Sequence, residues 1–535
     1  MDKSKVTTPS GTIEFILPED GNRDALIAHI QQDATCTIDP ARRMTRTYYD
    51  TFDWRLYQAD LYLYRDKSRQ QSRYVLQSGS NGRCIAMLDT KASPVFAWDM
   101  APGPLRDKIS TLLEMRALLP LISIQRETIL IRVLNKSLKT VVQLSWEHNS
   151  VRKSAASTHK IEDFRVRVIP MRGFPKAAQD ITRVLAQYPE AVPAQEDLYD
   201  LAMRSLCLVP GEYNSKLDIQ LNAQDRADHA LQLILKNLYH TLEANEAGLM
   251  ANIDSEFLHD YRVAVRRTRS ALSQVRHVLP QKEVDRFKTE FSWLGNITTL
   301  PRDLDVHLLN FDKYADSLPE DMRGDLEPLR DYLHELCTQA YENLKKELHS
   351  ARYRRLRTSW SQFLDSDLST CNTTEYAEKP IEWVAKKYTW RVYKRVLKQG
   401  DALESASPAV QFHELRKTCK KLRYLMEFFA SLFPKNEIKS LIRTLKLLQE
   451  NLGDFQDLEV HAQSMREFGE QMMQQAQASS NTLMAMGALA ENLERNKMEV
   501  HQKFSDVYKI FREKKNQDMF ALLFNPEEEI PEPVL

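Results

Sequence analysis

Residues 259–280 read HDYRVAVRRTRSALSQVRHVLP, and residues 413–434 read HELRKTCKKLRYLMEFFASLFP. His259, Arg262, Arg266 and Arg269 of the first stretch recur as His413, Arg416, Lys420 and Arg423 of the second, at a constant offset (413 − 259 = 154). Steps of three and four residues place each set on one face of an α-helix, as a cationic ridge several turns long. Like charges at that spacing repel and destabilise an isolated helix. A ridge built twice therefore points to an anionic partner that offsets the cost.

The apolar residues keep the same register. Tyr261, Val265, Thr268, Leu272, Val275 and Leu279 alternate four and three apart, and Leu415, Cys419, Leu422, Met426, Phe429 and Phe433 match them. This is the buried stripe of an amphipathic helix lying beside the basic face. Pro280 and Pro434 are expected to end the two helices. Downstream, Arg302-Asp303-Leu304-Asp305-Val306-His307 aligns with Gln456-Asp457-Leu458-Glu459-Val460-His461 at the same offset. The unit repeated is thus a helix, a break and the start of another helix. Residues 221–515 read as an all-α domain of two pseudo-symmetric helical bundles about a pseudo-two-fold axis, which would bring both ridges to one central basic groove.

The 535-residue chain is long enough for two or more domains. Its 74 basic and 74 acidic residues cancel, which argues against a generally adhesive nucleic-acid binder. Basic charge is instead local. Lys386, Lys387, Arg391, Lys394, Arg395 and Lys398 form a third cluster, and Arg352, Arg354, Arg355 and Arg357 a fourth. Aromatic residues are not expected among the clusters in the way that single-strand nucleic-acid binding needs. Residues 516–535, with Glu527, Glu528, Glu529 and Glu532, read as an acidic flexible tail. Six scattered cysteines without a C-x-x-C pair read as reduced thiols. No apolar run reaches membrane-spanning length and the start lacks a secretory core, so the expectation is a cytoplasmic protein with no membrane partner.

Residues 1–208 have another texture. Alternating runs such as Leu61-Tyr62-Leu63-Tyr64, Ile129-Leu130-Ile131-Arg132-Val133 and Val141-Val142-Gln143-Leu144 predict antiparallel strands, with helices near Arg106–Leu118 and Ala177–Gln187. An α+β domain on an antiparallel sheet or barrel follows, joined through a 209–220 linker to the helical part.

The two ridges and their R-D-L-D-V and Q-D-L-E-V followers resemble the CHAD domain, the conserved-histidine α-helical domain. The preceding residues Tyr48-Tyr49-Asp50-Thr51, then Leu61, Leu63 and Arg65, resemble the CYTH domain of the adenylate-cyclase and thiamine-triphosphatase group. The second resemblance implies a triphosphate tunnel in which carboxylates bind divalent metal, signed by an E-x-E-x-K strand. Only Glu14 of that signature is kept, and the late strand Asp163-Phe164-Arg165-Val166-Arg167 carries arginines where carboxylates are needed. Arginine repels a cation, so a degenerate tunnel without catalytic residues or bound metal is expected. Arg65, Arg73, Arg165 and Arg167 would be left to hold an anion. The alternative is a metal-dependent triphosphatase or polyphosphatase using magnesium in the barrel.

The CHAD resemblance implies inorganic polyphosphate as ligand, with association with polyphosphate granules and a protein partner there. A linear polyanion would be held by many lysine and arginine contacts with counterion release. The candidate binding residues are His259, Arg262, Arg266, Arg267, Arg269, Arg302, His413, Arg416, Lys417, Lys420, Lys421 and Arg423. No cofactor is expected, and nucleic acid is not an expected partner. Bland readings stand beside these. A basic stripe can be a solvated face, His259 and His413 can anchor a first helical turn, and Arg267 and Lys417 lie off the ridge. Asp303, Asp305, Asp457 and Glu459 could ligate metal, but their place favours helix N-termini or pairing with ridge arginines.

Overall fold

The computed structural model describes residues 13–18, 22–153, 160–188, 191–215, 217–368, 373–404 and 407–526. Cys371 and the four glutamates of the expected tail lie outside them. The chain divides into two compact units, Met1–Asn214 and Ser215–Leu535.

Ten strands build one antiparallel sheet in the first unit: β1 (Ile13–Leu17), β2 (Thr35–Ile38), β3 (Arg42–Asp50), β4 (Leu61–Lys67), β5 (Ser72–Ser78), β6 (Cys84–Asp89), β7 (Leu119–Leu134), β8 (Thr140–Arg152), β9 (Ile161–Pro170) and β10 (Val192–Pro193). Their order is β10-β1-β9-β8-β7-β3-β4-β5-β6, with β2 on β7. Period-two alternation decides the faces. Ile129, Ile131 and Val133 of β7 join Val142 and Leu144 of β8 under helix α1 (Arg23–Asp33). Helix α2 (Pro104–Leu113) covers β4–β6 with Leu105, Ile109 and Leu113. It stops short of Leu118 because Glu114 takes a positive φ of 49°. Helix α3 (Pro175–Gln187) adds Ile181 and Leu185 to the first core.

In the second unit the repeat governs where helices begin. Helix α4 (Ala227–Ala251) and α5 (Ser255–Gln274) are followed by α6 (Gln281–Ile297), α7 (Thr299–Leu309), α8 (Glu327–Leu348) and α9 (Ala351–Asp365). Next come α10 (Ile381–Asp401), α11 (Ala409–Phe428), α12 (Lys435–Gln474), α13 (Ser480–Phe511) and α14 (Lys514–Phe524). Shifting α5 by 154 residues reproduces α11 at both ends, and the starts of α4 and α6 become those of α10 and α12. All twelve positions of the two apolar stripes are buried.

Four sequence expectations need correction. Pro280 and Pro434 do not end the ridge helices, which stop at Gln274 and Phe428; each proline instead caps the following helix. Proline suits that position because the first turn of a helix leaves its N–H groups unpaired. The two downstream motifs also differ in setting. Arg302 to His307 lies in a short helix after a break at Thr298, whereas Gln456 to His461 lies inside the 40-residue α12. Pro301, which stands where α12 has Phe455, lacks the N–H that would continue the ladder across the break. Consequently Asp457 and Glu459 are mid-helix rather than near an N-terminus. Finally, the stretch read as a tail from residue 516 begins as helix α14, with Phe520 stacked on Tyr393 at 3.9 Å and Phe524 against Phe433.

Repeat-equivalent residues meet each other, as they must on a two-fold axis. Ala227 N donates to Lys379 O and Ile381 N donates to Asp225 O, both at 2.9 Å, and each bond is the other shifted by the repeat. The rings of His307 and His461 stand 4.7 Å apart, and their Nδ1 atoms share the Tyr314 hydroxyl at 3.2 and 2.9 Å. Burial pulls the His307 pKa down to about 3, so this pair is a neutral structural contact at ordinary pH. No described helix is long and apolar enough to cross a membrane.

Candidate functional site

Helices α5 and α11 pack against each other and carry the two ridges. On α5, Arg262 donates to the Thr298 and Thr299 hydroxyls at 3.0 and 3.2 Å and to the Gly295 carbonyl at 3.4 Å. Burial first, then Arg266, pulls its pKa down to about 10, against the opposing pull of Asp303. Arg269 reaches Ser292 at 3.4 Å and lies so close to Gly295 that a Cβ there would stand 2.9 Å from its Nη1. Glycine at 295 is what lets this guanidinium lie on α6. Arg302 donates to the Ser255 carbonyl at 3.4 Å. None of these three forms an ion pair among the described residues.

On α11, Arg416 pairs with Asp457 at 2.9 Å and Arg423 with Glu427 at 3.3 Å. Lys417 pairs with Glu414 at 2.9 Å, and Lys421 also bears electrostatically on Glu414. His413 Nδ1 is hydrogen-bonded to the Gln456 side-chain carbonyl, so part of the histidine is spent on anchoring its helix. His259 is half-buried at the matching place on α5.

The centre of the arrangement is Arg266 and Lys420, equivalent positions of the two repeats. They bear on each other electrostatically across the helix pair, and neither forms an ion pair among the described residues. The buried Nε of Arg266 has no hydrogen-bond partner. Burial, then Arg416 and Arg266, lowers the Lys420 pKa to about 8 in spite of Asp457. Uncompensated, partly desolvated cations are costly, and an anion delivered to them would remove that cost.

Arg267 is not a flanking solvated charge. It bridges to Glu427 of α11 at 2.8 Å and donates to the Ser215 carbonyl at 3.0 Å, which ties the two ridge helices together. Glu427 went unnoticed in the sequence, although its place four residues after Arg423 is a signal for an intrahelical pair. Asp305 accepts from the Tyr341 hydroxyl at 2.8 Å and Cys337 Sγ at 3.6 Å, and burial raises its pKa to about 6. Of the fourth basic cluster, Arg352 pairs with Glu290 and Arg357 with Glu243 and Glu246. The third lies on α10 and does include aromatic neighbours, contrary to the reading above: Lys387 stands over Tyr376 and Trp383, and Lys394 over Trp390.

The polar face of the sheet is a ladder of opposite charges. Arg46, Asp66, Arg73 and Asp89 sit directly opposite one another on successive strands, with Arg46–Asp66 and Arg73–Asp89 both at 2.7 Å. Glu14 is held by Arg167 at 2.7 Å and Arg165 at 3.4 Å; Arg165 also takes Asp163 at 2.9 Å, and Arg126 lies 3.5 Å from Glu147. Each carboxylate that could face a divalent cation is thereby matched to an arginine. Among the described residues no three His, Cys, Asp or Glu side chains converge as a metal site requires, so these residues do not fit the metal that the tunnel fold implies. The arginines expected to hold an anion are likewise engaged, and Arg65 points to the other face, bonded to Ser72, Ser93 and the Lys91 carbonyl. Asp50 of the Y-x-D-T motif accepts the backbone N–H groups of Thr51, Leu56 and Tyr57, a turn-holding role.

The CHAD domain family model matches residues 233–466. The CHAD domain of the plant Ricinus communis is 25% identical over 55% of this chain and 95% of its own, with a TM-score of 0.46. HpAC1 of Hippeastrum, named as an adenylyl cyclase with a dominant triphosphatase activity, is 10% identical over 38% of this chain and 99% of its own, at 0.27. A Bacillus halodurans protein named for adenylate cyclase is 12% identical over 35% of this chain and 95% of its own, at 0.25. No curated protein matches. Residues 233–466 of this chain are a CHAD domain by the family model, and the antiparallel sheet precedes them in the sequence.

Proposed function

We propose that this protein binds inorganic polyphosphate in a basic groove formed by the ridges of α5 and α11, and that its sheet domain does not catalyse. The observation that carries the reading is the meeting of Arg266 and Lys420 without ion-pair partners among the described residues, flanked by Arg262, Arg269 and Arg302. A chain of closely spaced phosphates supplies what such a cluster lacks: many oxygen acceptors and a charge at every step. Affinity built this way rests on counterion release and falls steeply with salt. Association with polyphosphate granules would follow from that affinity. Loss of turnover in the sheet is supported by the pairing of Glu14 with Arg165 and Arg167, which leaves no ligand set for a catalytic cation.

The test is a salt titration of binding to long-chain polyphosphate, with double-stranded DNA as competitor and phosphate release followed in the same sample. The full chain is expected to bind tightly, resist DNA and release nothing. Replacing Arg262, Arg266, Arg416 and Lys420 together by glutamine is expected to cost at least a hundredfold in affinity. Unchanged affinity in that variant overturns the binding site. Magnesium- or manganese-dependent phosphate release, abolished by Glu14→Ala, overturns the non-catalytic sheet.

A further inference from the structure

The third basic cluster is not used by the ridges. On α10, Lys387, Arg391, Lys394 and Lys398 follow one another at steps of four, three and four, so they share one helix face. Arg391, Lys394, Arg395 and Lys398 are exposed, and none of them forms an ion pair among the described residues. That contrasts with Lys386, off this face, which is paired with Glu382 at 3.0 Å. The stripe runs for about 16 Å at 1.5 Å per residue. It belongs to one repeat alone: the equivalent positions on α4 are Leu233, Asn237, His240 and Ala244. Packing against the ridge helix therefore does not require it, since α4 packs on α5 without it.

The stripe is joined to the first ridge. Arg276 lies seven residues after Arg269, just past the end of α5, and is exposed. Its carbonyl accepts the Tyr388 hydroxyl at 2.6 Å, and Arg276 and Arg391 both act electrostatically on that phenol. Arg276, at the end of the first ridge helix, and Arg391 of α10 thus come together at Tyr388. Of the aromatic rings beside the stripe, Tyr376 and Trp383 each have a face covered by Lys387, at 4.1 Å and 4.4 Å, and Trp390 lies half-buried under Lys394. Phosphate, not nucleobase, is the group this surface suits.

We infer that the Lys387–Lys398 face of α10, with Arg276 as its link, is a second station for the polyphosphate held by the ridges, and that it makes binding selective for long chains. The inference rests on the polyphosphate reading of the ridges. Two stations on one polymer act by effective concentration: a chain long enough to touch both gains affinity, while a short one occupies the ridges alone.

The experiment compares tripolyphosphate with chains of several hundred phosphates, using wild type, K387Q/R391Q/K394Q/K398Q and R276Q, with single-stranded RNA as a further ligand. The altered α10 side chains are solvent-facing or only half-buried, so thermal unfolding should match wild type. The quadruple variant is expected to lose at least tenfold in long-chain affinity, with a shallower salt dependence, and to keep tripolyphosphate affinity within twofold. R276Q is expected to shift long-chain affinity in the same direction by two- to threefold. Equal long-chain affinity in wild type and the quadruple variant overturns the second station and leaves the ridge site standing. A loss confined to RNA also overturns it, in favour of a nucleic-acid surface. Failure of wild type to bind either phosphate chain overturns the ridge reading itself.

Discussion

In the first repeat Arg262 rests on the hydroxyls of Thr298 and Thr299, and Arg269 on that of Ser292; in the second, Arg416 ends on Asp457 and Arg423 on Glu427. The cations are duplicated but their direct pairing is not. Glu427 has Ser273 as its equivalent, and Arg302 has Gln456, so the first half gains a cation where the second gains an acid. Asp303 does exist opposite Arg262 and acts on it electrostatically, yet it is exposed and makes no direct ion pair among the described residues. The lesson is that a duplicated motif can keep its geometry and still divide its labour. The first ridge offers unpaired guanidinium groups to a ligand, whereas in the second a ligand must compete with resident carboxylates.

The largest expected effect breaks this comparison directly. R262Q/R266Q/R269Q should lower polyphosphate affinity by about a hundredfold or more, and R416Q/K420Q/R423Q by about tenfold, since each lost phosphate contact removes roughly one unit of counterion release. Titration of both at several salt concentrations decides it; equal losses would show that the acids of the second repeat do not matter. A smaller change sharpens the same point from the other side. D457N frees Arg416 from its partner and should tighten binding by about two- to fivefold, as expected for release of a partly exposed pair. If affinity is unchanged or falls, Asp457 is not a competitor.

The smallest effect is one of pH. Lys420 faces Arg416 and Arg423 on its own helix, Arg266 on α5 and Asp457 on α12; burial and then the three arginines lower its pKa to about 8 against the opposing pull of Asp457. In the free protein it loses its proton as pH rises through that value. A bound polyanion favours the charged form, so binding takes up a proton, and affinity should fall about three- to tenfold between pH 7 and 9. K420R stays charged and should flatten the profile. A wild-type profile already flat over that range would place Lys420 outside the site.

Much of this was legible along the chain because it is periodic. The helix faces of both ridges, their buried stripes and the equivalence of the two halves depend on spacing, which survives in one dimension. The errors were local. A proline was read as a stop when it starts the next helix, and one motif was placed at a helix start when it lies within the continuous α12. Both depend on which N–H groups remain unpaired, a matter of three-dimensional accounting.

The sequence by itself determined that two equivalent cationic helices exist and that arginines stand in the late strand of the sheet domain, because side-chain chemistry and helical register are properties of the chain. Only the tertiary structure decided which charges are free. Arg267 is spent on Glu427, Glu14 on Arg165 and Arg167, and Arg266 and Lys420 face each other with no direct ion pair among the described residues. Pairing depends on which residues distant in sequence come within a few ångströms, and desolvation on what covers them. Neither is written in the spacing.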